Sequence, residues 1–316
     1  HPSIVPAWEI KPLNLQNFDG QRVVGVYFRE QRALYKARES VRRSGIEVLE
    51  SDINPTDRFL MERFITAGMQ LQGDLIAING VASMRNPNMS PQASVQPEFK
   101  VVSLDIETDL AGDYLYCIGV TVNHTDSQQT IERKVFMVGE SPNDKECELE
   151  PDCLIYCEDE RKLLTVFLEW FIDCDPDIII GWNVINFDLR FLQKKADQWQ
   201  VKWVLGRGNR TSEWRQSRND EDHYTLCIPG RPVLDGIDTL KSATFQFESF
   251  SLDYVANNLL KRGKLVDDVD NRGATISEQF VADKVSLARY NLEDCQLVWD
   301  IFQALELLGF AIERAN

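Results

Sequence analysis

A chain of 316 residues with 43% hydrophobic and 27% charged side chains is long enough to bury a full core and to form about two domains, which excludes a disordered or fibrous polypeptide. No apolar run approaches the roughly 20 residues that span a bilayer, and the polar start His1-Pro2-Ser3 has no signal-peptide character; it also lacks an initiator Met, as expected of a fragment of a longer protein. The net charge of −16 argues against a broad DNA-coating surface, because phosphate contact is driven by Lys and Arg.

That charge leaves room for a local channel. Basic stretches run over 29–43 and 194–218, and bound cations reverse the local sign of a carboxylate cluster. The seven cysteines are an odd number scattered through a long chain, which predicts reduced thiols and a cytoplasmic setting. Cys147, Cys153 and Cys157 lie close together in an acidic stretch. They lack a Cys-x-x-Cys pair and a nearby His, so zinc is not expected there.

In chain order, residues 1–97 read as a small N-terminal α/β domain. Segment 22–28 is β-rich, 30–44 has the spacing of a basic amphipathic helix, and Gly45 breaks it before a short strand at 46–49. A second short helix is expected over 58–64. Segment 85–97 carries three prolines among Asn, Ser and Gln and reads as a linker. From 98 to 304 the pattern is that of a mixed α/β domain. Strands are expected at 99–106, 114–122 and 133–138, a helix at 160–173, a buried strand at 177–182 and a helix at 188–198. Residues 204–232 suit an exposed hairpin, and 282–308 a long helix bent near its end. Residues 305–316 form a trailing segment.

Three pieces of this pattern carry acids. In Ser103-Leu104-Asp105-Ile106-Glu107-Thr108, alternate strand residues share a face, so Asp105 and Glu107 project together about 7 Å apart while Leu104 and Ile106 face the core. A solvated edge strand would show the same alternation. Asp188 follows the buried strand and Gly181-Trp182-Asn183-Val184-Ile185-Asn186-Phe187. It reads either as a helix N-cap or as a ligand at a strand-to-helix corner. Tyr290 and Asp294 are one helical turn apart on one face, which a half-buried Tyr beside a surface Asp would also explain.

Together these residues describe one machine. Four carboxylates within about 5 Å repel by about 3–4 kcal/mol per pair at an effective dielectric of 20, so protons or cations must neutralise them. Oxygen-only ligands select Mg²⁺ or Mn²⁺. Two such ions about 4 Å apart can flank a phosphodiester, with the Tyr290 hydroxyl orienting the attacking water.

The set Asp105-Ile106-Glu107, Asn183 to Phe187-Asp188, and Tyr290-x-x-x-Asp294 resembles the three exonuclease motifs of the DEDDy proofreading nucleases. Asp52-Ile53 followed by Arg58-Phe59-Leu60-Met61-Glu62, then Gly230-Arg231-Pro232-Val233-Leu234-Asp235, and Phe250-Ser251-Leu252 with Val255-Ala256, resemble the blocks that family B DNA polymerases carry around that exonuclease. The resemblance runs from Val23 to Ala315 and is nearest to the bacterial members.

The resemblance implies a ribonuclease-H-like exonuclease domain, a mixed sheet flanked by helices, over 98–304, beside the N-terminal domain. It implies Asp105, Glu107, Asp188 and Asp294 as ligands of two divalent cations, with Tyr290 positioning the nucleophile. Thr108, through its backbone, and Asn183 would contact the terminal nucleotide, Phe187 would pack by the frayed bases, and the 204–232 hairpin would help part primer from template. The implied partners are a single-stranded 3′ DNA end, the rest of a polymerase chain and a sliding clamp, in a bacterial cytoplasm and without a membrane.

The polymerase signatures, an Asp followed by Ser-Leu-Tyr-Pro and a later Asp-Thr-Asp, do not occur. His124-Thr125-Asp126-Ser127 has His where the latter needs an acid, so proofreading without polymerisation is expected. Asp268-Val269-Asp270-Asn271-Arg272-Gly273 invites a calcium-loop interpretation, but Arg272 occupies a ligand position and Gln279 replaces the terminal Glu. Two other functions stand as alternatives: a catalytically silent platform that binds single-stranded DNA or a partner, and a free-standing exonuclease acting on RNA. Loss of a ligand would favour the first, but all four acids are present; the family B blocks disfavour the second.

Overall fold

The structure, a computed structural model, describes residues 8–66, 68–78, 81–92, 97–126, 129–140, 152–218, 220–262 and 272–315. The chain divides into two compact units, His1–Gln96 and Pro97–Asn316.

In the first unit, strands β1 (Trp8–Gln16) and β2 (Arg22–Phe28) form an antiparallel hairpin with Trp8 opposite Phe28 and Gln16 opposite Arg22. Its turn is set by Asn17, whose Oδ1 accepts the amides of Asp19 and Gln21 at 3.1 and 2.8 Å, and by Gly20 at φ 78°, a conformation that glycine adopts without a Cβ penalty. Helix α1 (Gln31–Arg43) follows and buries no side chain. Arg32, Lys36, Arg42 and Arg43 on it are exposed.

The expected strand at 46–49 does not form. The Ile46 amide instead donates to Val41 O and closes the end of α1. Helix α2 spans Pro55–Met61 and starts earlier than expected, because Asn54 caps the Thr56 amide and Pro55 takes the first helical position. Strands β3 (Met69–Gln72), β4 (Leu75–Ile78), β5 (Val81–Met84) and β6 (Asn88–Pro91) then pair β3 with β6 and β4 with β5, both antiparallel. Part of the expected linker is therefore β6, with Pro91 at its very end, where a missing N–H costs the ladder little.

The second unit is built on a six-stranded sheet. Its strands are β7 (Lys100–Thr108), β8 (Leu115–His124), β9 (Glu132–Val138), β10 (Leu154–Cys157), β11 (Ile178–Gly181) and, after a separate two-stranded hairpin of β12 (Glu213–Gln216) and β13 (Tyr224–Cys227), β14 (Val233–Asp235). The spatial order is β10-β9-β8-β7-β11-β14, and β8 alone runs antiparallel to its neighbours. The helices are α3 (Glu160–Cys174), α4 (Arg190–Gln198), α5 (Gly236–Ser242), α6 (Leu252–Leu260), α7 (Arg272–Ala282), α8 (Lys284–Ala304) and α9 (Leu307–Ala315).

The alternation along β7 divides the core. Val102, Leu104 and Ile106 join Phe136, Phe167, Phe171 and Leu192 in the cluster under α3 and α4. Val101 joins Ile178, Ile180, Val255, Val298 and Trp299 in the cluster under α6 and α8. Helices thus cover both faces, and the sheet strands read as near-continuous apolar runs for that reason. Glu160 accepts the Leu115 amide at 2.8 Å and the Trp199 indole N–H at 3.0 Å and pairs with Lys195 at 2.7 Å, a buried network that ties α3 to α4.

The expected bend in the last long helix is real: α8 and α9 meet at 63°, with Glu306 in the left-handed region at φ 52°. Among the described residues no single helix is long and apolar enough to cross a membrane. Cys153 and Cys157 belong to different core clusters; Cys147 lies outside the described residues. The calcium-loop interpretation set aside above falls on residues that are likewise outside them up to Asn271, and Arg272 and Gly273 open α7.

Candidate active site

The site begins where β7 outruns its neighbour. β11 pairs with β7 only as far as Ile180 opposite Ser103, so the β7 amides beyond that point need other partners. The amide of Ile106 finds one in Asp188, whose Oδ1 accepts it at 3.0 Å. Gly181 makes this corner possible. A Cβ there would lie 2.6 Å from the Val184 side chain and 2.7 Å from Leu104 O.

Asp188 is neither a helix N-cap nor the first residue of a regular helix. It sits inside a wide turn, Ile185–Leu189, closed by a π-type bond from the Leu189 amide to Val184 O at 2.8 Å; such turns interrupt helices at functional sites. The regular helix starts at Arg190. The turn is held from below by Asp235, whose carboxylate accepts the amides of Ile185 at 3.3 Å and Ile237 at 3.0 Å.

On its other face β7 meets α8. Ser103 Oγ donates to Cys295 O at 2.8 Å, and two and four residues further on, Asp105 and Glu107 point the same way. Asp105, Glu107 and Asp294 bring carboxylate oxygens within 4.8 Å of one another. Glu107 and Asp294 are buried and Asp105 half-buried. At that separation each pair repels by about 3–4 kcal/mol at an effective dielectric of 20. Asp188, also buried, is the fourth acid. Burial first, and then the charge of Asp105, hold its carboxyl well above the usual carboxylate range. The donor set is oxygen only, which suits Mg²⁺ or Mn²⁺ and not a thiophilic ion.

The structure thus gathers Asp105, Glu107 and Asp294 and sets Asp188 beside Asp105, with one oxygen on a backbone amide. Tyr290 is buried one turn before Asp294 on α8. Thr108 ends β7, half-buried, its hydroxyl on Asp109 O. Asn183, at φ 58°, and Phe187, 44% exposed, stand on the solvent side of the corner, outside the acid cluster.

The β12–β13 hairpin is rooted on the same turn. The Tyr224 amide donates to Asn186 Oδ1 at 2.8 Å, Arg190 donates to the Tyr224 hydroxyl at 2.9 Å, and the Arg190 guanidinium lies 3.7 Å from the Tyr224 ring centre.

Two participants escape sequence reasoning. One is Asp235, a buried N-cap whose carboxyl burial pushes up. The other is Asn291, fully buried, whose Nδ2 donates to Asp105 Oδ2 at 2.7 Å; its available signal was Gly119, a glycine within the apolar run 115–122. A second group, Glu98, His124 and Asp126, also brings possible ligand atoms within 4.8 Å. It is exposed or half-buried and sits at the opposite end of β7, roughly 20 Å from Asp105 along the strand.

A mixed sheet covered by helices on both faces, with acids from its central strand and from α8 converging at one end, defines a ribonuclease-H-like nuclease. Residues 46–255 match the exonuclease domain of DNA polymerase family B. The DNA polymerase II of Escherichia coli (strain K12) is 40% identical over 312 residues, 98% of this chain and 38% of that protein. A DNA polymerase of Thermococcus litoralis is 28% identical over 142 residues, 45% of this chain and 8% of that protein. The DNA polymerase delta catalytic subunit of Schizosaccharomyces pombe is 28% identical over 150 residues, 44% and 14% respectively. The chain belongs to DNA polymerase family B and carries its exonuclease domain. It spans 38% or less of the length of each of these relatives.

Proposed function

We propose that this chain hydrolyses nucleotides one at a time from the 3′ end of single-stranded or mismatched DNA, as the proofreading part of a polymerase II-like enzyme. The observation that carries this is the convergence of Asp105, Glu107 and Asp294 within 4.8 Å, with the Asp188 carboxylate held on the Ile106 amide next to Asp105, inside a family B exonuclease domain.

In this proposal Asp105, Glu107, Asp188 and Asp294 hold two Mg²⁺ or Mn²⁺ ions. When bound, those ions neutralise the phosphate and lower the pKa of water. Water attacks the terminal phosphorus and the P–O3′ bond breaks. A 5′-mononucleotide leaves, and the shortened strand keeps a 3′ hydroxyl after taking up a proton. The Tyr290 hydroxyl orients the water. Thr108, by its backbone, and Asn183 hold the terminal nucleotide; Phe187, with its exposed ring 6.3 Å from that of Phe191, packs beside the splayed bases. The β12–β13 hairpin helps to part the primer end from its template. The partners are a DNA 3′ end, the remainder of a polymerase chain and a sliding clamp, and the compartment is the bacterial cytoplasm.

The test uses 5′-labelled oligonucleotides of one sequence as DNA and RNA, single-stranded or paired with a terminal mismatch, in Mg²⁺ or EDTA. Stepwise shortening of DNA with release of 5′-mononucleotides, abolished by EDTA, is expected. Binding without cleavage in Mg²⁺ and Mn²⁺ would leave only a silent platform, and a preference for RNA would overturn the substrate.

A further inference from the structure

We propose that Asn291, seated in the gap left by Gly119, is a positioning residue that orients the carboxylate of Asp105 for metal binding; the proposal rests on the metal site described above. Both ends of the Asn291 amide are engaged. Nδ2 donates to Asp105 Oδ2 at 2.7 Å, and Oδ1 faces the Cys117 thiol at 3.6 Å. The residue is fully buried, and a buried amide without partners costs about 1–3 kcal/mol. An aliphatic side chain of that size would fill the same space more cheaply, so packing alone does not explain an amide here.

The backbone opposite supplies the room. Gly119 is the direct cross-strand partner of Asp105 in the β7–β8 ladder. A Cβ on it would lie 2.1 Å from Asn291 Oδ1 and 2.6 Å from Asn291 Cγ. Its backbone is ordinary strand, so no turn or left-handed conformation calls for glycine at this point. A glycine in a strand interior weakens it and marks a close approach. What approaches is the Asn291 side chain from α8, passing over β8 to reach the acid on β7.

The chemistry of the contact matches its place. A neutral donor fixes the Asp105 carboxylate plane while leaving the cluster's charge for a cation; a Lys or Arg there would compete with the ion. Partners of this kind hold a ligand's geometry, and their loss typically weakens metal affinity about 10–100-fold.

The experiment compares the parent chain with Asn291→Leu, Asn291→Ala, Gly119→Ala, Gly119→Ala/Asn291→Ala and Asp105→Ala. Binding of Mn²⁺ without DNA is measured by the loss of the free-ion EPR signal, folding by circular dichroism, and cleavage as a function of Mg²⁺. Asn291→Leu is expected to weaken the Mn²⁺ binding that Asp105→Ala abolishes, by about 10–100-fold. The half-saturating Mg²⁺ should rise by the same factor, and the rate at saturation should return to within a few fold of the parent.

Gly119→Ala, which keeps the amide but displaces it, should do the same. The double variant should be no worse than Asn291→Ala, because the smaller side chain frees the space that the new methyl enters. Where Asn291→Leu does not fold, Gly119→Ala against the double variant decides. Folded variants that bind Mn²⁺ as the parent does, or a double variant whose losses add, would overturn the proposal. A parent chain whose Mn²⁺ binding is untouched by Asp105→Ala would instead overturn the metal site itself.

Discussion

Among the described residues of unit 1–96, Ile65 is the one buried hydrophobic side chain, and Trp8, Ile10, Val24 and Val26 remain exposed on a two-stranded hairpin. Residues 97–316 instead wrap three apolar clusters around a six-stranded sheet. Isolated two-stranded ribbons are marginal in water, whereas a doubly covered sheet packs at interior density and transmits strain. The difference shows where like charges can be held together. Three carboxylates within 4.8 Å need a frame that does not yield to their repulsion, and only the second unit supplies one.

The largest effect that separates the units is catalytic. Asp105→Ala/Glu107→Ala should lower 3′-nucleotide release by at least about 10⁴-fold, more than about 5 kcal/mol of barrier, with the circular dichroism spectrum unchanged. A rate within tenfold of the parent would break the assignment. Next comes packing. Phe167→Ala or Trp299→Ala, both fully buried, should cost about 3–5 kcal/mol in urea unfolding. Leu71→Ala in the first unit, where the side chain is 44% exposed, should cost less than about 1 kcal/mol. Equal costs would erase the contrast between the two units.

Tyr290→Phe keeps the buried ring in α8 and removes one hydroxyl. It should slow cleavage by about 10–100-fold, at the lower end for a group that assists proton transfer, with little change in Mn²⁺ affinity. Loss of both together would make Tyr290 a structural element of the metal site.

The smallest expected effect is on thermal stability. The folded-state pKa of Asp188 is raised by burial and by Asp105, and that of Asp235 by burial. A carboxyl so shifted contributes stability below its unfolded pKa and loses it as pH rises through the folded value. The ion-free protein should therefore melt lower at pH 8 than at pH 5, and Mg²⁺ should raise the midpoint more at pH 8. The scale is about 2–4 °C per kcal/mol for a unit of this size. A larger Mg²⁺ effect at pH 5 would contradict the assignment of these acids.

How much of this was legible in the sequence follows from the range of each interaction. Asp105 and Glu107 are set by the two-residue period of a strand, and Tyr290 and Asp294 by one helical turn, so both pairs could be placed from local spacing. Asp188 could not be decided between cap and ligand, because its setting depends on β11 stopping opposite Ser103 and on a wide turn with no local signature. Asn291 reads as any polar helix position until Gly119, 172 residues earlier in the numbering of the chain, is seen across from Asp105. In the first unit, the strand expected at 46–49 gave way to the Ile46 amide closing α1. The proline-rich stretch hid β6, because Pro91 stands at a strand end.

The most direct measurement is anomalous diffraction from crystals of this chain soaked in Mn²⁺. Two peaks about 4 Å apart, bounded by Asp105, Glu107, Asp188 and Asp294, are predicted, and both should vanish in Asp105→Ala/Glu107→Ala. Crystals with no peak among those four acids, or with manganese only at Glu98, His124 and Asp126, would contradict it.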